Sequence, residues 1–223
     1  MNTRSAIIGT ALIGVLTATG VVSANTEPET TESSTESTVR ETPYQLGEKL
    51  PNITLPGLSR DGKDVEVSLD AMLADGPVIV TFFRGSWCPY CRGELRAIEA
   101  RLEKIEALGA SVLAISPEKP SETIKLEEKL DIGFTLATDA DNQIARQLGL
   151  LFVMSEEMIE KYHQYNLDVP KSNGTKTWEL PIPATYIVDT DHTIRYVFDD
   201  VDYSKRADYD KVLKVLKEIQ GET

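Results

Sequence analysis

The sequence predicts a mixed α/β domain with a central β-sheet flanked by helices, and three observations carry that prediction. The runs Val78 to Phe83 and Ser111 to Ile115 are apolar at nearly every position, as strands buried on both faces are. Between them Leu95, Ile98, Leu102, Ile105 and Leu108 recur at helical spacing. Near the C-terminus two extended runs joined by a polar turn precede one last amphipathic stretch. Strands separated by helices, then closed by a hairpin and a helix, define the class.

The N-terminal region lies outside that domain. Met1-Asn2-Thr3-Arg4 leads into the uncharged, mostly apolar stretch Ala6 to Val22, and Val22-Ser23-Ala24 offers small residues to a signal peptidase. This is a signal-peptide pattern over residues 1–24 with cleavage after Ala24, so the expected location is secretion across the inner membrane into the periplasm. The alternative is an uncleaved tether, because the stretch is at the short edge of bilayer-spanning length. Residues 25–42 are dominated by Thr, Ser and Glu, which cannot bury enough surface to offset their ordering entropy, and read as a disordered linker. Residues 43–223 have the size of one globular domain. With 23 Lys and Arg against 36 Asp and Glu, the net charge of −13 opposes nucleic acid and anionic membrane partners. Once the signal is removed, no stable membrane insertion is expected.

Within the domain, Asp61-Gly62 predicts a turn between extended segments Asn52 to Leu58 and Lys63 to Val67. The strand Val78 to Phe83 follows, then a helix from about Cys88 that ends at Gly109. Ser111 to Ile115 forms the next buried strand. Ser121, after Pro120, is a candidate N-cap for a helix to Leu130. A short strand at Phe134 to Ala137 runs into Thr138-Asp139-Ala140-Asp141, which lacks the glycine and terminal glutamate of a calcium loop and reads as a turn and cap for a helix over Asn142 to Leu148. Residues 150–180 have the least period: Glu156 to Tyr165 fits a helix, Asp168 to Thr177 has turn chemistry, and together they read as an insertion or a lid. The hairpin pairs Ala184 to Val188 with Ile194 to Phe198, and a helix over Ala207 to Gln220 closes the chain.

The chemistry lies in Cys88-Pro89-Tyr90-Cys91, the only two cysteines of the chain. A strand ending near Phe83 and a helix starting near Cys88 put the first thiol among the unpaired N–H groups of a helix N-terminus, where a thiolate is favoured. Cys91 follows one turn later, within reach of an oxidised Cys88. A zinc site would need His163 and His192 as well, and they follow no finger spacing; no metal or other cofactor is expected. A structural disulfide would close too short a loop to restrict the unfolded chain much. Buried inert thiols are the remaining reading, and Pro89 and Tyr90 at a strand–helix junction argue against it. Asn52-Ile53-Thr54 and Asn173-Gly174-Thr175 match the glycosylation pattern but are common by chance.

These residues resemble the thioredoxin-fold superfamily and, within it, the peroxiredoxin-like AhpC/TSA family. The likeness rests on Phe82 to Leu95, on Gly109-Ala110 into Ala114-Ile115-Ser116-Pro117, and on Leu180-Pro181-Ile182-Pro183-Ala184-Thr185. The resemblance implies a thioredoxin-like fold over roughly residues 44–220. It implies that Cys88 is the peroxidatic cysteine, that Cys91 resolves it, and that Ile182-Pro183 is a cis bond opposite them, leaving the Ile182 backbone free to pair with a peptide or to hold the thiol pocket. The family's approach to the cysteine is Pro-x-x-x-Thr-x-x-Cys, whereas Gly85 stands at the threonine position here. Ser86 or Arg84 is then the candidate replacement donor, with Arg84 in an ordinary salt bridge as the alternative. Arg206 occupies the setting of the family's second arginine, after the last hairpin. Trp87 and Tyr90 are candidate apolar walls, and Glu94, one turn past Cys91, is a candidate proton relay, with an exposed helix glutamate as the default reading.

The resemblance implies a thiol-dependent peroxidase acting on hydrogen peroxide or organic hydroperoxides through a Cys88/Cys91 cycle, with a thioredoxin-like electron donor. The alternative is a periplasmic thiol–disulfide oxidoreductase acting on protein disulfides, which the Cys-x-x-Cys spacing and the missing threonine favour. A binding module stapled by the disulfide is a third possibility.

Overall fold

The structure is a computed structural model that describes residues 40–58 and 63–221. The signal peptide, nearly all of the linker and the Asp61-Gly62 turn lie outside the described residues. Strands β1 (Thr54–Leu58) and β2 (Asp64–Ser68) pair antiparallel, and Ser68 caps helix α1 (Leu69–Leu73). Then come β3 (Val78–Phe82), α2 (Pro89–Glu99), α3 (Leu102–Ala107), β4 (Ser111–Ser116), α4 (Pro120–Leu130) and β5 (Thr135–Thr138). A 3-10 turn over Ala140–Asn142 leads into α5 (Gln143–Gln147). The insertion holds β6 (Leu151–Val153), α6 (Glu156–Gln164), α7 (Val169–Asn173) and β7 (Glu179–Pro181); β8 (Ala184–Val188), β9 (Ile194–Asp199) and α8 (Tyr209–Ile219) complete the fold.

The main sheet has seven strands in the order β2-β1-β5-β4-β3-β8-β9. All five residues of β3 are buried, between parallel β4 and antiparallel β8. Side chains alternate across a strand, so Ile79, continued by Phe83 just past the strand, enters one core with Leu95, Ile98, Ile105, Val212 and Leu216 of α2, α3 and α8. Val78, Val80 and Phe82 enter the other core with Leu69, Leu73, Ala145 and Leu148. Each buried Leu or Ile contributes roughly 1.5–3 kcal/mol, and the two cores hold the end of β3 rigidly where the chain turns into the cysteine loop. The insertion has a small core of its own, Met154, Tyr162, Val169 and Leu180, against which Trp87 packs.

Local differences from the sequence reading have identifiable causes. The helix expected from Cys88 to Gly109 is two, because Arg101 leaves helical geometry (φ −116°, ψ 1°) and its side chain donates back to the Ala97 carbonyl. Pro120 is itself the first residue of α4, where its missing N–H costs nothing, so Lys119 rather than Ser121 holds the N-cap position. Asp139 caps α5 by accepting from the Ile144 and Ala145 amides. The stretch expected to be turn contains α7, capped by Asp168. Asn173 is buried, which leaves its glycosylation pattern inaccessible in the folded state. Among the described residues no helix is long and apolar enough to cross a membrane, and no group of three or more His, Cys, Asp or Glu side chains could hold a metal ion.

Candidate active site

The chain leaves β3 through Phe83 to Trp87 and enters α2 with Cys88 as the N-cap and Pro89 at the first turn. The Cys91 amide donates to Cys88 Sγ at 3.4 Å, one of the orphan donors of a helix N-terminus directed onto sulfur. Both thiols are free, Cys88 is 1% exposed and Cys91 fully buried. The Cys88 thiol is lowered from 9.0 to about 6: the bond donated by the Cys91 thiol, joined by the Cys91 amide and by the smaller effects of the Arg84 and Arg206 charges, outweighs burial. Burial, reinforced by the neighbouring Cys88 charge, pushes Cys91 well above the ordinary thiol range. One sulfur is thus prepared as a nucleophile and the other held as a protonated thiol, which is an attacking and a resolving pair.

Arg206 reaches both sulfurs. Its Nη2 lies 3.2 Å from Cys91 Sγ and 4.0 Å from Cys88 Sγ, and its Nη1 donates to the Tyr203 and Lys205 carbonyls, which fix the guanidinium. Its Nε is 2.7 Å from Glu94 Oε2. Glu94, expected at the surface, is buried. Counted from Cys91 it lies on the inward face of α2, and Tyr209 and Thr185 hydroxyls donate to its Oε1 at 3.1 and 3.5 Å. Burial raises its carboxyl to about 7 despite the Arg206 charge.

Arg84 is 2% exposed and, among the described residues, has no carboxylate within ion-pair reach. This removes the salt-bridge alternative. Its Nη2 donates to the Tyr162 hydroxyl of α6, its guanidinium carbon lies 4.2 Å from the Tyr203 ring centre, and its Nη1 is buried without a partner. An unpartnered buried donor beside a thiolate is a binding element for oxygen atoms that arrive with substrate. Trp87 and Tyr90 are walls, as expected. With Tyr162, Tyr165 and Tyr203 they line a cavity of about 460 Å³ that opens onto Cys88.

Ser86 does not serve as the replacement donor. Its amide and hydroxyl both donate to Glu118, at 2.5 and 3.1 Å, and Ser172 of α7 donates to the same carboxylate at 2.6 Å. The Ile182 amide donates to the Leu150 carbonyl at 2.8 Å and so is not free to pair with a peptide, while Ile182 and Pro183 line a crevice of about 20 Å³ that shares Arg84 and Tyr203 with the cavity over Cys88. Neither histidine approaches the cysteines: His163 packs on Trp178, and His192 sits in the β8–β9 turn with φ +69°.

Sequence reasoning missed Tyr162 and Tyr203, and the buried threonines behind Glu94. Thr81 and Thr185, the fourth residue of β3 and the second of β8, face each other in register with 3.2 Å between hydroxyls. A threonine inside each of two buried, largely apolar strands was the available signal.

Fold and site together define a dithiol oxidoreductase on a thioredoxin-like scaffold. Residues 46–197 match the model of the AhpC/TSA family. The chain belongs to that family. It is 28% identical to peroxiredoxin Bcp of Escherichia coli over 176 residues, 79% of this chain and 97% of that protein. Among solved structures it resembles peroxidoxin BcpB of Mycobacterium tuberculosis, with a TM-score of 0.62 at 22% identity over 78% of this chain and 97% of the other. The reduced 2-Cys peroxiredoxin of Plasmodium vivax also gives 0.62, at 15% identity over 80% and 83%.

Proposed function

We propose that this protein is a thiol-dependent peroxidase of the peroxiredoxin type that acts on organic hydroperoxides as well as hydrogen peroxide. The observation that carries the reading is the position of Cys88: a helix N-cap thiolate at the base of a substrate-sized cavity, between buried Arg84 and partly buried Arg206. The thiolate attacks the terminal peroxide oxygen. The O–O bond breaks, the alkoxide or hydroxide takes up a proton and leaves, and Cys88 becomes a sulfenic acid. Arg84 and Arg206 supply fixed positive charge where negative charge develops on the departing oxygen. Cys91 then displaces the sulfenic hydroxyl as water and closes the Cys88–Cys91 disulfide, which a thioredoxin-like donor dithiol reopens by exchange.

The cavity is far larger than hydrogen peroxide requires, and its aromatic walls suit an alkyl or aryl body. The protein-disulfide reading is disfavoured by the Ile182 amide, already bonded to Leu150. Location is part of the same proposal: Met1 to Ala24 directs export to the periplasm and residues 25–42 link the cleavage point to the domain. The mass of the mature protein recovered from the periplasmic fraction tests that part.

The activity is tested by stopped-flow oxidation of the reduced protein with hydrogen peroxide, cumene hydroperoxide and a small disulfide-containing protein. Peroxide oxidation at least a hundredfold faster than that of a free thiol, and faster than exchange with the protein disulfide, is expected. The opposite order would replace the peroxidase by the disulfide oxidoreductase.

A further inference from the structure

Glu118, just past the end of β4, is 1% exposed and is gripped from two sides. From the cysteine loop, the Ser86 amide donates to its Oε2 at 2.5 Å and the Ser86 hydroxyl to its Oε1 at 3.1 Å. From α7 of the insertion, the Ser172 hydroxyl donates to the same Oε1 at 2.6 Å. The Ser172 carbonyl accepts in turn from the Lys119 amide at 3.2 Å, so a single residue of α7 engages both Glu118 and Lys119. All three donors to the carboxyl are neutral, and the charge that acts on it, Glu122, is of like sign. A buried carboxylate without a counter-ion is costly, and its hydrogen bonds are correspondingly strong, roughly twice a neutral pair. What Glu118 gains for its burial is a joint between two separate pieces of chain.

Those pieces are the opposing walls of the cavity over Cys88. Tyr162, Tyr165 and Leu167 line it from the insertion, and Arg84, Trp87 and Tyr90 line it from the cysteine loop and the start of α2. The insertion is packed on its own core of Met154, Tyr162, Val169 and Leu180, and it joins the rest of the fold through the β6–β7 ribbon, where Ile182 bonds to Leu150. A unit with its own core, fixed at one end, opens as a body at a free energy below that of global unfolding. At its free side it is held by Ser172 on Glu118 and by Tyr162 on Arg84 and Trp87. Cys88, at the cavity base, is 1% exposed. A small peroxide fits within the cavity of about 460 Å³. A thiol carried on a macromolecule brings its own backbone and cannot pass between the walls.

We propose that Glu118 is a positioning residue that latches the insertion to the cysteine loop, so that peroxide reaches Cys88 through the cavity whereas a macromolecular thiol reaches it only when the Glu118–Ser172 bond opens. The latch sorts the two reaction partners by size. It also leaves the cysteine loop in place when the insertion moves, because Ser86 keeps both of its bonds to Glu118.

The inference rests on Cys88 as the reacting thiol but not on the peroxide, so its test uses none. Reduced protein is alkylated with iodoacetamide or with a maleimide carrying a polyethylene glycol chain, and adducts at Cys88 are followed by peptide mass. Ser172→Ala removes the insertion's side of the latch. It is expected to speed the large reagent by about tenfold or more, the worth of one hydrogen bond to a charged acceptor, and to leave iodoacetamide within about threefold of the parent. The Cys88 midpoint should stay near 6, because Ser172 supplies none of the bonds or charges that lower that thiol. Ser172→Thr keeps a hydroxyl and should keep the parent's size selection. Glu118→Gln should speed the large reagent in the same direction, and combining it with Ser172→Ala should add little, since both break one bond. Hydrogen exchange gives a second readout: the Lys119 amide and those of α7 should exchange about tenfold faster or more in Ser172→Ala, with α2 unchanged. Equal acceleration of both reagents, or no acceleration of the large one, overturns the proposal. If Cys88 is unreactive toward both reagents in every variant while α7 exchange still responds to Ser172→Ala, the latch stands and the reading of Cys88 as the attacking thiol falls.

Discussion

Arg206→Met separates the two things a cation can do for Cys88, lower its pKa and stabilise the leaving oxygen. At 4.0 Å, an isolated guanidinium would favour the thiolate by about 4 kcal/mol at an effective dielectric near 20, or about three pKa units. Arg206 is not isolated. Glu94 lies 2.7 Å from its Nε and cancels much of its field, and the Cys91 thiol, the Cys91 amide and Arg84 all outrank it in lowering Cys88. Loss of Arg206 also leaves Glu94 to neutralise by protonation, so little unbalanced charge remains. Cys88 should therefore rise from about 6 by no more than about one unit. In the transition state the geometry is different, because the departing oxygen accepts directly from the guanidinium, and removal of one such donor costs about a hundredfold or more. The assay pairs iodoacetamide alkylation against pH, which gives the thiolate fraction, with stopped-flow peroxide oxidation at pH 8, where both proteins are largely thiolate. A deficit of about a hundredfold at pH 8 is expected. If the variant matches the parent once rates are normalised to thiolate, Arg206 sets only ionisation and the transition-state argument fails.

In the unmodified protein, alkylation should rise as pH rises through about 6 and level off above 7, because the reactive form is the base; a midpoint at 8 or higher would contradict the N-cap argument. Gly85→Ala should destabilise by about 2 kcal/mol or more in urea unfolding, since Gly85 has φ +152° and a Cβ there would stand 2.5 Å from the Trp87 indole nitrogen. A neutral result would mean that the loop can shift without cost. Tyr162→Phe removes a partner of buried Arg84 and should cost about 1–3 kcal/mol. It should also slow oxidation by cumene hydroperoxide more than by hydrogen peroxide, because only the bulkier substrate reaches the α6 wall, and equal losses would place its body elsewhere.

Much of the site was legible because its signals are local. The apolar run into Phe83, the cysteine spacing and Pro89 at the helix start together place Cys88 at an N-cap. Arg206 was legible only as a position after the hairpin, yet that position brings it to both sulfurs. The default reading of Glu94 as exposed failed because a glutamate on a helix is ordinarily solvated, whereas this one is buried. Its face is set by neighbours distant in sequence, Thr185 and Tyr209, which no local window contains. Ser86 and Ile182 were misassigned for a related reason, since the partners that occupy them, Glu118 and Leu150, are fixed by tertiary packing. The β6–β7 ribbon was invisible: each strand has three residues, and β7 ends in proline.

The missing threonine and the insertion are two parts of one arrangement. Gly85 leaves no side chain where the family carries threonine, and the space is taken by the Trp87 indole and the Glu118 carboxyl, 2.5 and 3.0 Å from the place a Cβ would occupy. The indole packs edge-on against Tyr162 of α6 at 5.7 Å between ring centres, and Glu118 is held by Ser172 of α7. Both groups that displace the threonine are therefore anchored in residues 156–173. Tyr162 in turn engages Arg84, whose unpartnered Nη1 is left as a donor where the hydroxyl is lost. Restoring threonine at position 85 alone would collide with Trp87 rather than recover the family geometry. A hydroxyl can return only if the indole is replaced as well, which would detach the cysteine loop from α6 and open the cavity wall.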